Sequence, residues 1–200
     1  MLEIKQLKSP HPFSANTYFI GLDGDYAIID PTAPYSAEFE GKNVRYILLT
    51  HEHFDHILEI NSWVENTGAE VIATKECAIS LPDPMRNCYK LYNGTNNGYF
   101  GKTHVVGDGE ELTFGNSAIR VIETPGHTAG SVIFVIETNA FVGDTVFENG
   151  GYGRFDLPTG SLVMLKDSIN KIMRLDGDII MYPGHGGCTT VKQYIKDFRG

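Results

Sequence analysis

Short apolar runs separated by turn-forming residues predict several strands in the first half of the chain. Thr17–Ile20 and Tyr26–Ile29 flank the segment Leu22–Asp25, whose Asp and Gly residues are typical of a turn between paired strands. Arg45–Thr50 is an apolar, β-rich run and predicts a buried strand, and Glu70–Thr74 predicts the next one. These runs form a first batch of strands.

Helical periodicity occurs in three places. After the strand that ends at Thr50, apolar residues recur with helical spacing and predict a helix that ends near Gly68: Ile57, Ile60, Trp63 and Val64. Ser161–Leu175 shows the same periodicity, with Ser161 as its N-cap. Thr189–Phe198 predicts a closing helix with basic residues near its C-terminal end.

The second half of the chain repeats the strand pattern. Apolar runs between Glu111 and Phe147 (LTF, SAIRVIET, SVIFVIE and AFVG) predict strands joined by turns, and Asp178–Tyr182 predicts one more. Residues 82–103 are rich in Pro, Gly and Asn and predict a long irregular loop, which in a compact domain is often a functional lid. Because helices follow each batch of strands, we expect an α+β fold of two packed sheets with helices outside.

The composition is that of a globular protein. With 200 residues, 42% hydrophobic and 20% charged, the chain fits a single domain, 1–200, that folds without disulfides. The 16 basic and 25 acidic residues give a net charge of −9, which opposes nucleic-acid binding. No apolar run has the length of a membrane span, and the N-terminus lacks the apolar core of a secretory signal. The 3 cysteines form no C-x-x-C pair. This predicts free thiols in a reducing cytoplasm.

A dense polar cluster follows the predicted strand Arg45–Thr50. Its sequence, HEHFDH, contains His51, His53, Asp55 and His56. On an extended segment His51, His53 and Asp55 point the same way, whereas His56 breaks this parity and points elsewhere or begins the helix. Imidazole and carboxylate groups crowded in this way are typical of a site for Zn, Fe(II) or Mn.

Three further ligand-type residues follow apolar strands, each directly after a glycine. His127 lies in the turn TPGHT, Asp144 follows AFVG, and His185 follows DIIMYPG. Glycine permits the tight turns and close backbone approach that a shared site requires. Each residue alone is more typical of an ordinary turn, but their equivalent positions at strand ends predict one centre shared with the HEHFDH cluster.

The two sets together contain five histidines and two aspartates. That number is enough for two divalent cations with three private ligands each and one shared carboxylate. A bridging carboxylate and a bridging hydroxide relieve the repulsion between adjacent cations, and bound water then ionises near neutral pH instead of at its bulk pKa of about 15.7. Zn is the expected ion, with Fe and Mn as alternatives, because the same ligands accept all three.

The motifs HEHFDH, PGHT, GDT and PGHG, in this order, resemble those of the metallo-β-lactamase-fold hydrolases. They run from position 51 to position 185, and Asn16–Pro31 is similar to the first strands of that fold. The segment Gly143–Leu157 resembles the short glyoxalase II-like, or hydroxyacylglutathione hydrolase-like, branch of the family. The resemblance implies an αββα sandwich of two mixed sheets, with the metals at one edge.

The resemblance also implies ligand sets and a reaction. The ligands would be His51, His53 and His127 for the first metal, Asp55, His56 and His185 for the second, and Asp144 as the bridge. The reaction would be hydrolysis of acyl bonds by a metal-bridging hydroxide, above all in thioesters of the hydroxyacylglutathione type. Asp55 would then be the catalytic residue that orients the hydroxide and shuttles its proton.

Two features depart from the glyoxalase II pattern. The C-terminal helical domain that supplies basic residues for glutathione is expected to be absent, because only 15 residues follow His185. A glutathione-binding Lys is replaced, one residue later, by Arg154, which is either a substrate carboxylate anchor or the partner of Asp156 in a salt bridge. Aromatic residues of the 82–103 loop either line a pocket or hold that loop down: Tyr89, Tyr92, Tyr99 and Phe100.

Other functions are compatible with the same residues. One is an Fe(II)-dependent persulfide dioxygenase-like oxidoreductase that uses His51, His127 and Asp144. Others are hydrolysis of another ester, a lactone or a phosphodiester, the last disfavoured by the acidic charge. A non-enzymatic metal-binding module is disfavoured because stability alone requires one closed four-ligand site. The expected partner is a small molecule, and the sequence does not identify its acyl group, its thiol or the oligomeric state.

Overall fold

The computed structural model describes residues 1–92 and 97–199, the last by its backbone alone. The described residues form two six-stranded sheets. In chain order, the strands of the first sheet are β1 (Glu3–Leu7), β2 (Thr17–Leu22), β3 (Asp25–Ile29), β4 (Asn43–Leu48), β5 (Glu70–Thr74) and β6 (Thr103–Val106). Those of the second are β7 (Glu111–Phe114), β8 (Ser117–Glu123), β9 (Val132–Ile136), β10 (Asn139–Gly143), β11 (Ile180–Pro183) and β12 (Thr189–Thr190).

Both sheets are mixed, and each contains strands that end at the same edge. In the first sheet β1 to β3 pair antiparallel, and β3 to β6 pair parallel. In the second, β10 and β11 are parallel, and the other neighbours are antiparallel. Backbone hydrogen bonds join the two sheets at this edge: Val132 N donates to Thr50 O, and Asn16 N donates to Gly184 O. The segments that leave β4, β8, β10 and β11 therefore meet.

Four helices cover the outer faces of the sheets in the described part of the chain: α1 (Ile60–Thr67), α2 (Lys75–Ser80), α3 (Leu162–Ile172) and α4 (Val191–Arg199). Glycine at the C-cap of α1, Gly68, has a φ of +65°, a conformation that glycine adopts without strain. Ser161 accepts a hydrogen bond from Met164 N at the start of α3, which confirms the predicted N-cap.

Three buried clusters hold the layers together. Side chains from the facing sides of the two sheets, such as Ile20, Phe114 and Phe134, form the central core. A second cluster packs Trp63 of α1 against the outer face of the first sheet, and a third packs Tyr194 of α4 against the second sheet. The order of layers is helix, sheet, sheet, helix, which confirms the predicted αββα sandwich.

Edge elements are where the sequence prediction was incomplete. Strand β1 was not predicted, because EIKQL is largely polar and only Ile4 and Leu7 face apolar neighbours. Strand β6, from Thr103, begins inside the predicted loop 82–103 and is an edge strand whose Val105 is exposed. That loop also contains a short 3₁₀ turn, Tyr89–Tyr92, while positions 93–96 lie outside the described residues.

The closing helix begins later than predicted. Thr189 and Thr190 pair with Met181 and Ile180 as strand β12, and helix α4 starts at Val191. The threonines fit a strand better than a helix because their β-branched side chains lose rotamer freedom in a helix. Among the helices described, none is both long enough and apolar enough to cross a membrane.

Removal of a side chain from the central core should destabilise the fold strongly. Phe134 is fully buried between the sheets, so Phe134→Ala should lower the free energy of unfolding by about 3–5 kcal/mol. Val163→Ala, at an exposed position of α3, should change it by less than about 0.5 kcal/mol. Urea denaturation of metal-free protein measures both, and similar values for the two variants would contradict the two-sheet core.

Candidate metal centre

The seven candidate ligands predicted from the sequence meet where the strands of both sheets end. They contribute three overlapping groups in which one nitrogen or oxygen atom of each side chain lies within 4.8 Å of the others. The groups are His51, His53 and His127; His51, His56 and Asp144; and Asp55, His56 and His185. The structure thus brings together every side chain of the predicted set, although these residues span 135 positions between 51 and 185.

Asp144 lies between the first and the third of these groups. Its Oδ2 is 3.7 Å from His127 Nε2 and 3.6 Å from His185 Nε2, and its Oδ1 is 3.4 Å from His56 Nε2. Two further pairs of atoms are also close: His53 Nδ1 lies 3.0 Å from His127 Nε2, and Asp55 Oδ2 lies 3.3 Å from His185 Nε2. Asp144 therefore contacts imidazoles of both the first and the third group.

A buried carboxylate, Asp30, orients two of these imidazoles. His56 donates its Nδ1–H to Asp30 Oδ2 at 2.8 Å, so Nε2 is the ring nitrogen that faces Asp144 at the centre. The hydroxyl of Thr50 also donates to Asp30 Oδ2, at 2.6 Å, so its oxygen accepts the Nδ1–H of His51 at 3.1 Å. One carboxylate thus fixes the tautomers of His51 and His56, as carboxylates beside metal-binding histidines commonly do.

A backbone carbonyl fixes a third imidazole. His127 donates its Nδ1–H to Arg154 O at 2.7 Å, and its Nε2 therefore carries a lone pair toward His53 and Asp144. His185 differs from the other histidines of the centre because its side chain is 41% exposed, whereas those of His56 and His127 are buried. The centre therefore has a closed side and an open side.

Burial keeps several imidazoles neutral. It lowers the pKa of His51 far below the usual range, that of His53 to about 3, and that of His127 below its ordinary value. His56 is the exception: burial lowers its pKa, but Asp144 and Asp30 outweigh this and raise it well above the usual value. In the same way burial raises the pKa of Asp144, but His56 and other histidines hold it below the usual range. The centre thus combines three imidazoles whose neutral form is favoured, those of His51, His53 and His127, with ionised carboxylates.

Several polar atoms of the centre have no hydrogen-bond partner among the described residues. They are the Nε2 atoms of His51, His53 and His56 and the Oδ1 atom of Asp144. Buried polar atoms are nearly always paired, because an unpaired one loses its solvation without compensation. Neutral imidazole nitrogens and carboxylate oxygens are the donors that Zn, Fe and Mn accept, so the residues present fit divalent cations.

Close backbone approach explains the glycines in the motifs. A Cβ atom on Gly184 would lie 2.3 Å from Asp144 Oδ1 and 2.5 Å from His56 Cε1. Gly143 has a φ of +50°, and a Cβ there would lie 2.5 Å from Thr50 Oγ1. A larger residue at either position would displace the centre or the side chains that orient it.

Sequence reasoning missed Asp30, Thr50 and Glu52. Asp30 directly follows β3 and has a φ of +49°, so an Asp-Pro pair at a strand exit was the available signal. Glu52 is fully buried and accepts hydrogen bonds from the hydroxyls of Thr128 and Thr159, which ties the HEHFDH segment to two other loops. Burial raises the pKa of Glu52 to about 7.

A cavity of about 500 Å³ opens over the centre. Asp55, His127, Asp144 and His185 line its floor, and the other lining side chains are mostly apolar. Of the aromatic residues predicted for the 82–103 loop, Tyr92 lines this cavity, whereas Tyr89 and Tyr99 pack in the core beside the first sheet and Phe100 is exposed. Both alternatives predicted for these aromatic residues thus occur.

Arg154 lies at the edge of the same cavity and forms the predicted salt bridge. Its Nε donates to Asp156 Oδ1 and its Nη2 to Asp156 Oδ2, each at 2.8 Å. This two-point bond lowers the pKa of Asp156 to about 2. Both side chains are more than half exposed.

Comparison with known proteins agrees with this geometry. The family model described as the metallo-beta-lactamase superfamily matches residues 11–185. The chain is 34% identical over 177 residues to a hydroxyacylglutathione hydrolase of Francisella tularensis subsp. novicida, a match that covers 85% of this chain and 62% of that protein. The chain thus spans less than two-thirds of the length of this relative.

Two solved structures share the fold over nearly the whole chain. The BLEG-1 B3 metallo-beta-lactamase superimposes with a TM-score of 0.85 at 30% identity and covers 97% of both chains. TTHA1623, solved in a di-iron-bound form, has a TM-score of 0.83 at 25% identity and covers 95% of this chain and 96% of that one. With its four motifs, its layered sheets and its cluster of histidines and aspartates, the chain belongs to the metallo-beta-lactamase superfamily.

Proposed function

We propose that this protein is a two-metal hydrolase of acyl bonds that acts on thioesters of the hydroxyacylglutathione type. The observation that carries the proposal is the set of seven converging side chains, with lone pairs aimed at one another under an open cavity. The relative named hydroxyacylglutathione hydrolase supports the thioester class, and the di-iron form of TTHA1623 supports a two-metal centre. The substrate would be a small molecule, and a cytoplasmic location stays a prediction.

In this proposal His51, His53 and His127 would hold the first cation, Asp55, His56 and His185 would hold the second, and Asp144 would be shared. Bound divalent cations would polarise the substrate carbonyl and lower the pKa of the attacking water. The closed side of the centre, held by Asp30 and the Arg154 carbonyl, keeps its imidazoles in one tautomer. The open side, at His185, faces the cavity through which a substrate enters.

Asp55 is the residue to which we assign proton transfer. Burial raises its pKa, but His185 and His56 outweigh this and hold it below the usual range, so the carboxylate is ionised. Its side chain lines the cavity, and the backbone carbonyl of Asp55 is fixed by a hydrogen bond from Ala15 N. An ionised carboxylate at the floor of the cavity can orient an attacking water and accept its proton at Oδ.

No cysteine is needed as a nucleophile. Cys88 lines the cavity, but burial raises its pKa to about 11, so it is a neutral thiol at physiological pH. Cys77 is fully buried, and burial raises its pKa well above the usual value. Both thiols are therefore poor nucleophiles.

Metal-loaded protein should hydrolyse thioesters in preference to lactones, β-lactams and phosphodiesters, with S-lactoylglutathione as the first substrate to try. Activity should rise with metal content up to two equivalents per chain, measured by elemental analysis beside a thiol-release assay.

Asp55→Ala should lower kcat by about 10²–10⁴-fold, because it removes the proposed proton acceptor, while the circular dichroism spectrum stays native.

Asp167→Ala, at an exposed position of α3, is the matched control and should keep the wild-type rate. Normal metal content together with a near-normal rate in Asp55→Ala would contradict the role of Asp55. One iron per chain and oxygen uptake with glutathione persulfide would instead favour the dioxygenase-like alternative and contradict the hydrolase.

Loss of the hydrogen bonds of Asp30 should weaken metal binding. Asp30→Asn removes the charge that holds His56 directly and His51 through Thr50, so metal affinity should fall by about 10–100-fold. Competition with a chromophoric chelator measures this, and Asp167→Asn should bind metal as the wild type does. An Asp30→Asn variant with unchanged affinity would show that the imidazoles do not depend on this carboxylate.

A further inference from the structure

The walls of the cavity differ in character from its floor. Above the acidic and imidazole floor, the lining side chains include five large apolar or aromatic groups: Phe13, Phe54, Tyr92, Phe147 and Leu157. Phe13 and Tyr92 are 71% and 51% exposed, so they present apolar surface to an entering molecule rather than to the core. Exposed apolar groups that converge on a cavity are typical of ligand-binding surfaces.

The charge at the edge of the cavity is already balanced. Apart from histidines, Arg154 is the one cationic side chain among the described residues that line the cavity. Asp156 engages it through both carboxylate oxygens, and the two residues are only two positions apart, so little chain ordering is needed to form the pair. At this edge of the cavity, an anionic group of a substrate would therefore meet an arginine whose charge is cancelled and a carboxylate that repels it.

We propose that the site binds thioesters with an uncharged thiol group more tightly than those with an anionic thiol group, because Asp156 occupies Arg154. This inference rests on the proposed thioesterase function and ranks its substrates by charge: glutathione thioesters remain substrates, but uncharged thioesters bind more tightly. Asp156 acts here as a specificity-determining residue, because its carboxylate sets the charge that Arg154 presents to the cavity. The apolar wall supplies binding to an uncharged group by burial of its surface.

Two thioethers that share an S-benzyl group and resist hydrolysis test this selectivity on the metal-loaded full chain. S-benzyl-N-acetylcysteamine is uncharged, whereas S-benzylglutathione carries a net negative charge. Calorimetric titration should give a dissociation constant about two- to fivefold lower for the uncharged thioether, the size expected from one exposed charge interaction. Asp156→Asn should bring this ratio to about one, since it frees Arg154 for the anionic ligand.

Asp167→Asn removes one negative charge from α3 and should leave the ratio as in the wild type. Tighter binding of S-benzylglutathione by the wild type would overturn the inference. So would an Arg154→Gln variant that selectively loses S-benzylglutathione, because Arg154 would then be an anchor despite Asp156. An unchanged ratio in Asp156→Asn would overturn the role of that residue.

Hydrolysis of the corresponding thioesters separates this inference from the proposed function. Thioethers that bind with the expected ratio while no thioester is cleaved would overturn the thioesterase proposal and support the charge selectivity of the cavity. Thioesters that are cleaved with a preference for the glutathione compound, unchanged in Asp156→Asn, would support the function and overturn the selectivity.

Discussion

Buried nitrogen and oxygen lone pairs that face one another need a proton or a cation between them. At the edge where the two sheets meet, four loops bring five imidazoles and two carboxylates together, and several of their atoms lack any hydrogen-bond partner among the described residues. Protons cannot compensate all of them, because burial favours the neutral form of His51, His53 and His127. Divalent cations satisfy both constraints at once.

The fold makes this crowding possible. Parallel pairing of β10 with β11 brings Gly143 and Gly184 to the same edge, where Gly184 N donates to Gly143 O at 2.8 Å. The bond from Val132 N to Thr50 O fixes the second sheet against the segment that contains His51. The large cores between and outside the sheets supply the stability that a crowded polar edge costs, since a buried polar cluster is unfavourable by itself.

Much of this arrangement was predictable from local patterns. HEHFDH follows a β-rich strand, and His127, Asp144 and His185 follow glycines at other strand exits, so their shared edge could be inferred without coordinates. Asp30 could not be assigned, because its role depends on contacts with Thr50 and His56, which lie 20 and 26 positions away. Strand β1 was missed because its edge position lets most of its side chains stay polar.

The pair Arg154–Asp156 marks the limit of sequence reasoning in a different way. Spacing alone allowed both a substrate anchor and an internal ion pair, and only the geometry of two 2.8 Å bonds distinguishes which contact Arg154 makes. The aromatic residues of the 82–103 loop divide similarly, since Tyr89 packs inside and Tyr92 faces the cavity. Two tyrosines of one loop thus have different roles, one in the core and one in the cavity wall, and sequence patterns do not distinguish them.

Anomalous diffraction from crystals of metal-loaded protein tests the two-cation centre most directly. We expect two peaks, one among His51, His53 and His127 and one among Asp55, His56 and His185, with Asp144 in contact with both and metal–nitrogen distances of about 2.0–2.1 Å. A single ion, or none, with these side chains turned to separate places would contradict the account.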